Sequence, residues 1–160
     1  MANSEKRDLG YLGDEFQMRL IHHLMENEDF FRDIIDIVDQ NMFTNINLRT
    51  YVMLMKNYYQ QTNIKPSYGV MEMYINEKVR SEIDKESAIT LNKELPKISS
   101  EAVDYIKTLA TRFFKQQNIV RVANEILKIA GNGDADKYDQ CADLINQAIN
   151  VGFSTNLGEK

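Results

Sequence analysis

Chemistry in this chain would have to start from a few side chains. His22 and His23 are its two histidines. Successive residues on a helix point about 100° apart, so adjacent imidazoles do not chelate one ion as an i, i+4 pair does. A structural role, on the surface or half-buried, is expected for both. Cys141 lies among apolar neighbours at helical spacing, which predicts a buried thiol rather than a nucleophile. Asp29, Asp33, Asp36 and Asp39 recur at spacings that make a solvated helix face. Gly131-Asn132-Gly133-Asp134 lacks the lysine and the preceding strand of a phosphate loop, and no Gly-x-x-x-x-Gly-Lys-Ser/Thr occurs. No catalytic, cofactor-binding or metal-ligating residue is therefore expected in this segment. Lys107, Lys115, Arg121 and Lys128 share one broad side of a long helical run and could face phosphates or an acidic partner. Glu125 interrupts that side and no aromatic platform is interleaved, which favours a solvated face. Met53, Met55, Met71 and Met73 either line an adaptable groove or fill a core, and core filling is expected.

The elements that position these groups read as helices. Asp14 is expected to cap the first, with Gln17 reaching back in a variant capping box, and Phe16, Leu20, Ile21, Leu24 and Met25 on one face. Phe30, Phe31, Ile34, Ile35 and Val38 follow at helical spacing, with Glu28 and Asp29 in the first turn where the dipole favours negative charge. Asn45 and Asn47 open a third run carrying Leu48, Tyr51, Val52, Met55, Tyr58 and Tyr59, ended by Asn63 and Pro66. Ser67 caps a fourth carrying Val70, Met71, Tyr74 and Ile75. Asp84 to Leu95 is expected to form a short helix closed by Pro96.

From Glu101 to Ala130 there is neither glycine nor proline. At ~1.5 Å per residue the helix would be about 45 Å long, against a diameter near 40 Å for a compact domain of this size, so it should protrude or bend. Val103, Ile106, Leu109, Ala110 and Phe113 centre on one direction. Ile119, Val120, Ala123, Ile126, Leu127 and Ala130 centre about 120° away, so the two halves should face different partners. Gly131 to Gly133 make a turn, Asp134 caps a last helix with Tyr138, Cys141, Ala142, Ile145 and Ala148 to Ile149 on one face, and Gly152 onward reads as a frayed tail or the start of a linker.

Length and composition set the class. The 160 residues are 43% apolar and 27% charged, with two prolines and seven glycines, too little punctuation for an all-β chain. No run approaches the roughly 18 apolar residues of a membrane span, and one cysteine makes no internal disulfide, so a cytoplasmic protein with no membrane partner is expected. The net charge of −5 is uneven. Residues 1–48 carry 4 basic and 10 acidic groups, residues 49–128 carry 13 and 9, and residues 129–160 carry 2 and 5. Acidic ends argue against sequence-independent phosphate binding by the chain as a whole.

The order of these features resembles a known family. Asp14-Glu15-Phe16-Gln17 to Leu24, the Phe30 to Val38 run, Phe43 with Asn45, Tyr51 to Tyr58, Pro66-Ser67 and the Tyr105 to Ala130 helix with Val122-Ala123-Asn124-Glu125-Ile126 together are similar to the N-terminal domain of DnaB-like replicative DNA helicases. Phage helicases of the T-even type look closest, including the tail Ala148-Ile149-Asn150-Val151-Gly152-Phe153. The resemblance covers about 140 residues. It implies an all-α fold: an N-terminal tail (1–13), a globular helical bundle (14–98), a protruding hairpin (99–151), and a linker start (152–160) toward a missing ATPase domain that would use ATP and Mg and touch single-stranded DNA.

Family members form hexameric rings from paired N-terminal domains and dock primase and, in some, a helicase loader. On this chain the resemblance assigns self-association to Phe114, Gln117, Val120, Arg121, Ile126, Leu127, Tyr138 and Ile145. Partner docking is expected at exposed aromatics such as Tyr58, Tyr59 and Phe114. Gln117 stands where relatives often carry arginine, so that arginine's contacts are not carried over. A stand-alone helical adaptor, such as a loader or helicase-binding protein, and a helical nucleic-acid-binding module are the alternatives.

Overall fold

The computed structural model describes the backbone of residues 8–133 and 135–157 and the side chains of 8–133 and 135–148. Among the described residues the chain is all-helical, with no strand. These residues form seven α-helices: α1 (Gly13–Glu26), α2 (Glu28–Ile34), α3 (Ile46–Thr62), α4 (Tyr68–Lys78), α5 (Glu82–Glu94), α6 (Val103–Gly131) and α7 (Tyr138–Leu157). The chain divides into two compact units, Met1–Thr108 and Leu109–Lys160, a boundary within α6 and about ten residues beyond the expected one at residue 98.

Local chemistry fixes most helix ends. Asn27, Asn45, Ser67 and Ser81 are N-caps of α2 to α5, each side chain accepting from backbone N–H groups of the first turn that have no partner within the helix. α3 ends at Asn63, which takes a left-handed conformation at φ 58°, a place asparagine tolerates better than a β-branched residue. Ala102 adopts φ 55° just before α6, an uncommon and costly geometry for alanine.

In the first unit α3 touches α1, α4 and α5. Leu20, Ile21 and Leu24 of α1, Phe31 and Ile34 of α2, Tyr51, Val52 and Met55 of α3, and Met71 and Ile75 of α4 are buried. Ile35 and Val38 are also buried, although α2 has ended before them. Burial, not helix continuation, accounts for the apolar spacing there.

Several expectations need correction. Residues 8–13 are not a tail: Leu9 is fully buried in a 3₁₀ turn, Leu9–Leu12, capped by Asp8. Asp14 does not cap α1, which begins at Gly13 with no side-chain cap, and Gln17 does not reach back in a capping box. Gln17 is instead fully buried; its Nε2 donates to Thr44 Oγ1 at 2.9 Å and to the Leu9 carbonyl at 3.4 Å, while Thr44 N–H donates to its Oε1 at 3.0 Å. A buried amide must satisfy both ends, and the partners it needs lie across the fold. α7 continues through Gly152 to Leu157, because one glycine costs a helix only about 1 kcal/mol against alanine. The expected cap at Asp134 and residues 158–160 lie outside the described residues.

Candidate interaction surface

The polar groups of the first unit are occupied in holding it together. Tyr51 Oη donates to Asn92 Oδ1 at 2.7 Å, and Asn92 Nδ2 donates to the Tyr68 carbonyl at 2.9 Å, which ties α3, α5 and the start of α4. Burial, then the nearby Tyr68, pushes the Tyr51 phenol well above its ordinary range, so it stays a neutral donor. Lys65 Nζ donates to the Met25 carbonyl at 2.5 Å and Lys56 Nζ to that of Val38. Burial lowers the Lys56 pKa, against the raising influence of Asp39 and Asp36.

Both histidines are buried rather than half-exposed. A carbonyl only accepts, so His22 Nδ1 carries the proton it donates to Leu95 O at 2.7 Å, while its Nε2 lies 3.5 Å from Ser100 Oγ. The His23 ring meets the His22 ring edge-on at 5.2 Å. Its pKa is lowered to about 4, first by burial and then by His22, Lys107 and Arg19. His23 Nε2 is buried with no hydrogen-bond partner. No group of three His, Cys, Asp or Glu side chains suited to a metal ion occurs among the described residues.

The second unit offers a different kind of surface. Ile119, Val122, Ala123 and Ile126 recur at i, i+3, i+4 and i+7 on α6, and with Ile145 and Ala148 of α7 they line one apolar cleft of about 240 Å³. Val120 and Leu127 stand beside it at i, i+7 and are 47% and 68% exposed; Ile119, Tyr138 and Ile145 are also exposed. Arg121 does not point a free charge at this surface: it donates to Glu125 at 2.6 Å and to Asn118 at 3.0 Å.

The residues singled out from sequence thus separate. Ile126 and Ile145 share the cleft, with Val120, Leu127 and Tyr138 exposed in the same unit. Gln117 is half-buried. Phe114 is a correction: it is fully buried, its ring edge-on to that of Phe113 at 5.3 Å, and so presents no docking face. Tyr58 and Tyr59 are half-buried, packed edge-on against Tyr74 and Phe31 at 5.5 and 5.1 Å, so each shows only part of its ring. Cys141 is half-buried rather than enclosed. Met55 and Met71 are core residues as expected, whereas Met53 and Met73 are exposed. Lys107 lies over the Phe30 ring at 5.4 Å and is no part of a solvated basic stripe. Ala148, expected on the apolar face of the last helix, lines the cleft, whereas sequence reasoning left Val122 off the stripe, although its i+3 spacing from Ile119 is a signal for it.

No known protein family, curated protein or solved structure matches this chain. Among the described residues, no helix is long and apolar enough to cross a membrane.

Proposed function

We propose that the chain is an assembly and docking domain of a ring-shaped, DnaB-like replicative DNA helicase, with α6 and α7 forming a hairpin that pairs with a second copy. The reading is supported by the order of amphipathic segments and, above all, by the apolar cleft of the second unit with Val120 and Leu127 exposed beside it. Two large aliphatic side chains one helical repeat apart, next to a groove lined by isoleucine, valine and alanine, gain free energy when a like surface covers them. In this reading the hexamer grows from such pairs, primase or a loader docks on the first unit near Tyr58 and Tyr59, and nucleotide hydrolysis belongs to a separate domain.

Sedimentation equilibrium of the native chain and of Val120→Glu tests it. The native chain should dimerise with rising concentration, and the variant should dimerise at least about tenfold more weakly, a difference of roughly 1.4 kcal/mol. A native chain that stays monomeric at high concentration sinks the assembly reading. A coding sequence that continues into a Gly-Lys-Ser/Thr phosphate loop would separate a helicase from a stand-alone adaptor.

A further inference from the structure

The first unit carries another concave surface, one that includes neither Tyr58 nor Tyr59. Two clefts of about 500 and 270 Å³ adjoin through Asn47, which lines both. The larger runs along one face of α5, where Ile83, Ser87, Thr90, Leu91 and Glu94 recur at i, i+4, i+7, i+8 and i+11, a length of about 16 Å. The smaller lies against α3, where Ile46, Thr50, Met53 and Leu54 recur at i, i+4, i+7 and i+8, with Lys78 at the end of α4. Folding covers Leu54 and Leu91 but leaves Ile83 77%, Ile46 70% and Met53 38% exposed.

The charges around these apolar groups are mostly negative. Asp84, Glu86 and Glu94 line the clefts against one cation, Lys78. Among the described residues Asp84 and Glu86 form no ion pair, Glu94 is shared with Lys97 at 3.4 Å, and Lys78 is taken by Glu77 at 3.2 Å. A second copy laid symmetrically on this face would bring the same acidic set, Asp84, Glu86 and Glu94, against itself, and such like-charge juxtaposition selects against that partner.

We propose that the joined clefts dock an amphipathic helix of another protein, apolar on one face and flanked by lysine or arginine. Three turns of helix match the length of the α5 face, the apolar side chains meet Ile46, Met53 and Ile83, and the flanking cations meet Asp84, Glu86 and Glu94. This surface is independent of the cleft in the second unit and of the helicase reading.

The test uses the whole chain and a fluorescent, helix-forming synthetic peptide of about 14 residues, with leucines at i, i+4 and i+7 and lysines on the flanks. A control peptide replaces every lysine with glutamate. Fluorescence anisotropy should show saturable binding of the lysine peptide, about tenfold or more weaker binding of the glutamate peptide, and a similar loss for the lysine peptide with Ile83→Asp and with Glu86→Lys. Val120→Glu should bind as the native chain does. Glu86 is exposed, so its variant keeps the test decisive if Ile83→Asp does not fold, as far-ultraviolet circular dichroism would report. Equal affinity for the two peptides, no binding of either, or native affinity in a folded Glu86→Lys chain would overturn the proposal. Loss of self-association in that variant would give the surface to a second copy instead and overturn it too.

Discussion

A histidine that is 3% exposed, beside a second imidazole and within reach of Lys107 and Arg19, resists protonation. Its pKa of about 4 in the folded chain stands below the ordinary 6.5, which makes it a stability sensor with a definite sign. Above pH 6.5 the ring is neutral in both states and contributes nothing to pH dependence. As pH falls from 6.5 toward 4, the unfolded chain takes up a proton that the folded chain refuses, so stability drops, by an amount on the order of 2 kcal/mol after allowance for partial solvation. Urea unfolding of native and His23→Leu chains at pH 7, 5.5 and 4.5 measures this; the variant should lose less stability over the interval. Tyr51 gives a second expectation. Tyr51→Phe strands the buried Asn92 Oδ1 that the phenol supplies, and an unsatisfied buried acceptor costs about 1–3 kcal/mol. The urea midpoint should fall accordingly with an unchanged slope.

Among the elements, α6 begins under strain. Ala102 at φ 55° is a position where glycine has no steric penalty, so Ala102→Gly should raise stability by up to about 1 kcal/mol even after the greater freedom of the unfolded chain is counted. A rise in thermal midpoint reads the sign. At Asn45, whose side chain accepts from Asn47 N–H and Leu48 N–H, replacement by alanine should cost about 1 kcal/mol. Caps of this kind are legible in sequence because their partners lie two or three residues away: Asn45 and Ser67 could both be read directly, and Asn63 by asparagine's tolerance of a left-handed backbone. Gln17 could not, since its partners Thr44 and Leu9 lie 27 and 8 residues off, and a polar residue in an apolar stripe looks the same whether it caps a helix or ties two segments. Phe114 misleads for the related reason that periodicity locates a face without saying what covers it. The cleft of the second unit was half-legible, through the Ile119 to Ala130 stripe; the clefts joined at Asn47 were not, because they depend on how α1, α3, α4 and α5 converge.

For the molecule as a whole, self-association would make heat stability depend on concentration, since a dimer that binds only folded chains adds mass-action stabilisation. The native thermal midpoint should climb across a hundredfold concentration series and that of Leu127→Lys, changed at a 68% exposed site, should stay flatter; parallel curves would count against pairing through the second unit. The bond from His22 to the Leu95 carbonyl spans 73 residues and sets an order of events during synthesis. A ribosome adding roughly 5–20 residues per second takes about 4–15 s to travel from one partner to the other. Through that interval α1 exists without the carbonyl that occupies His22 or the α5 and Leu95–Ser100 segment that follows. The side of α1 that carries His22 is thus on offer to a chaperone before the Leu95–Lys97 turn that covers it has been made.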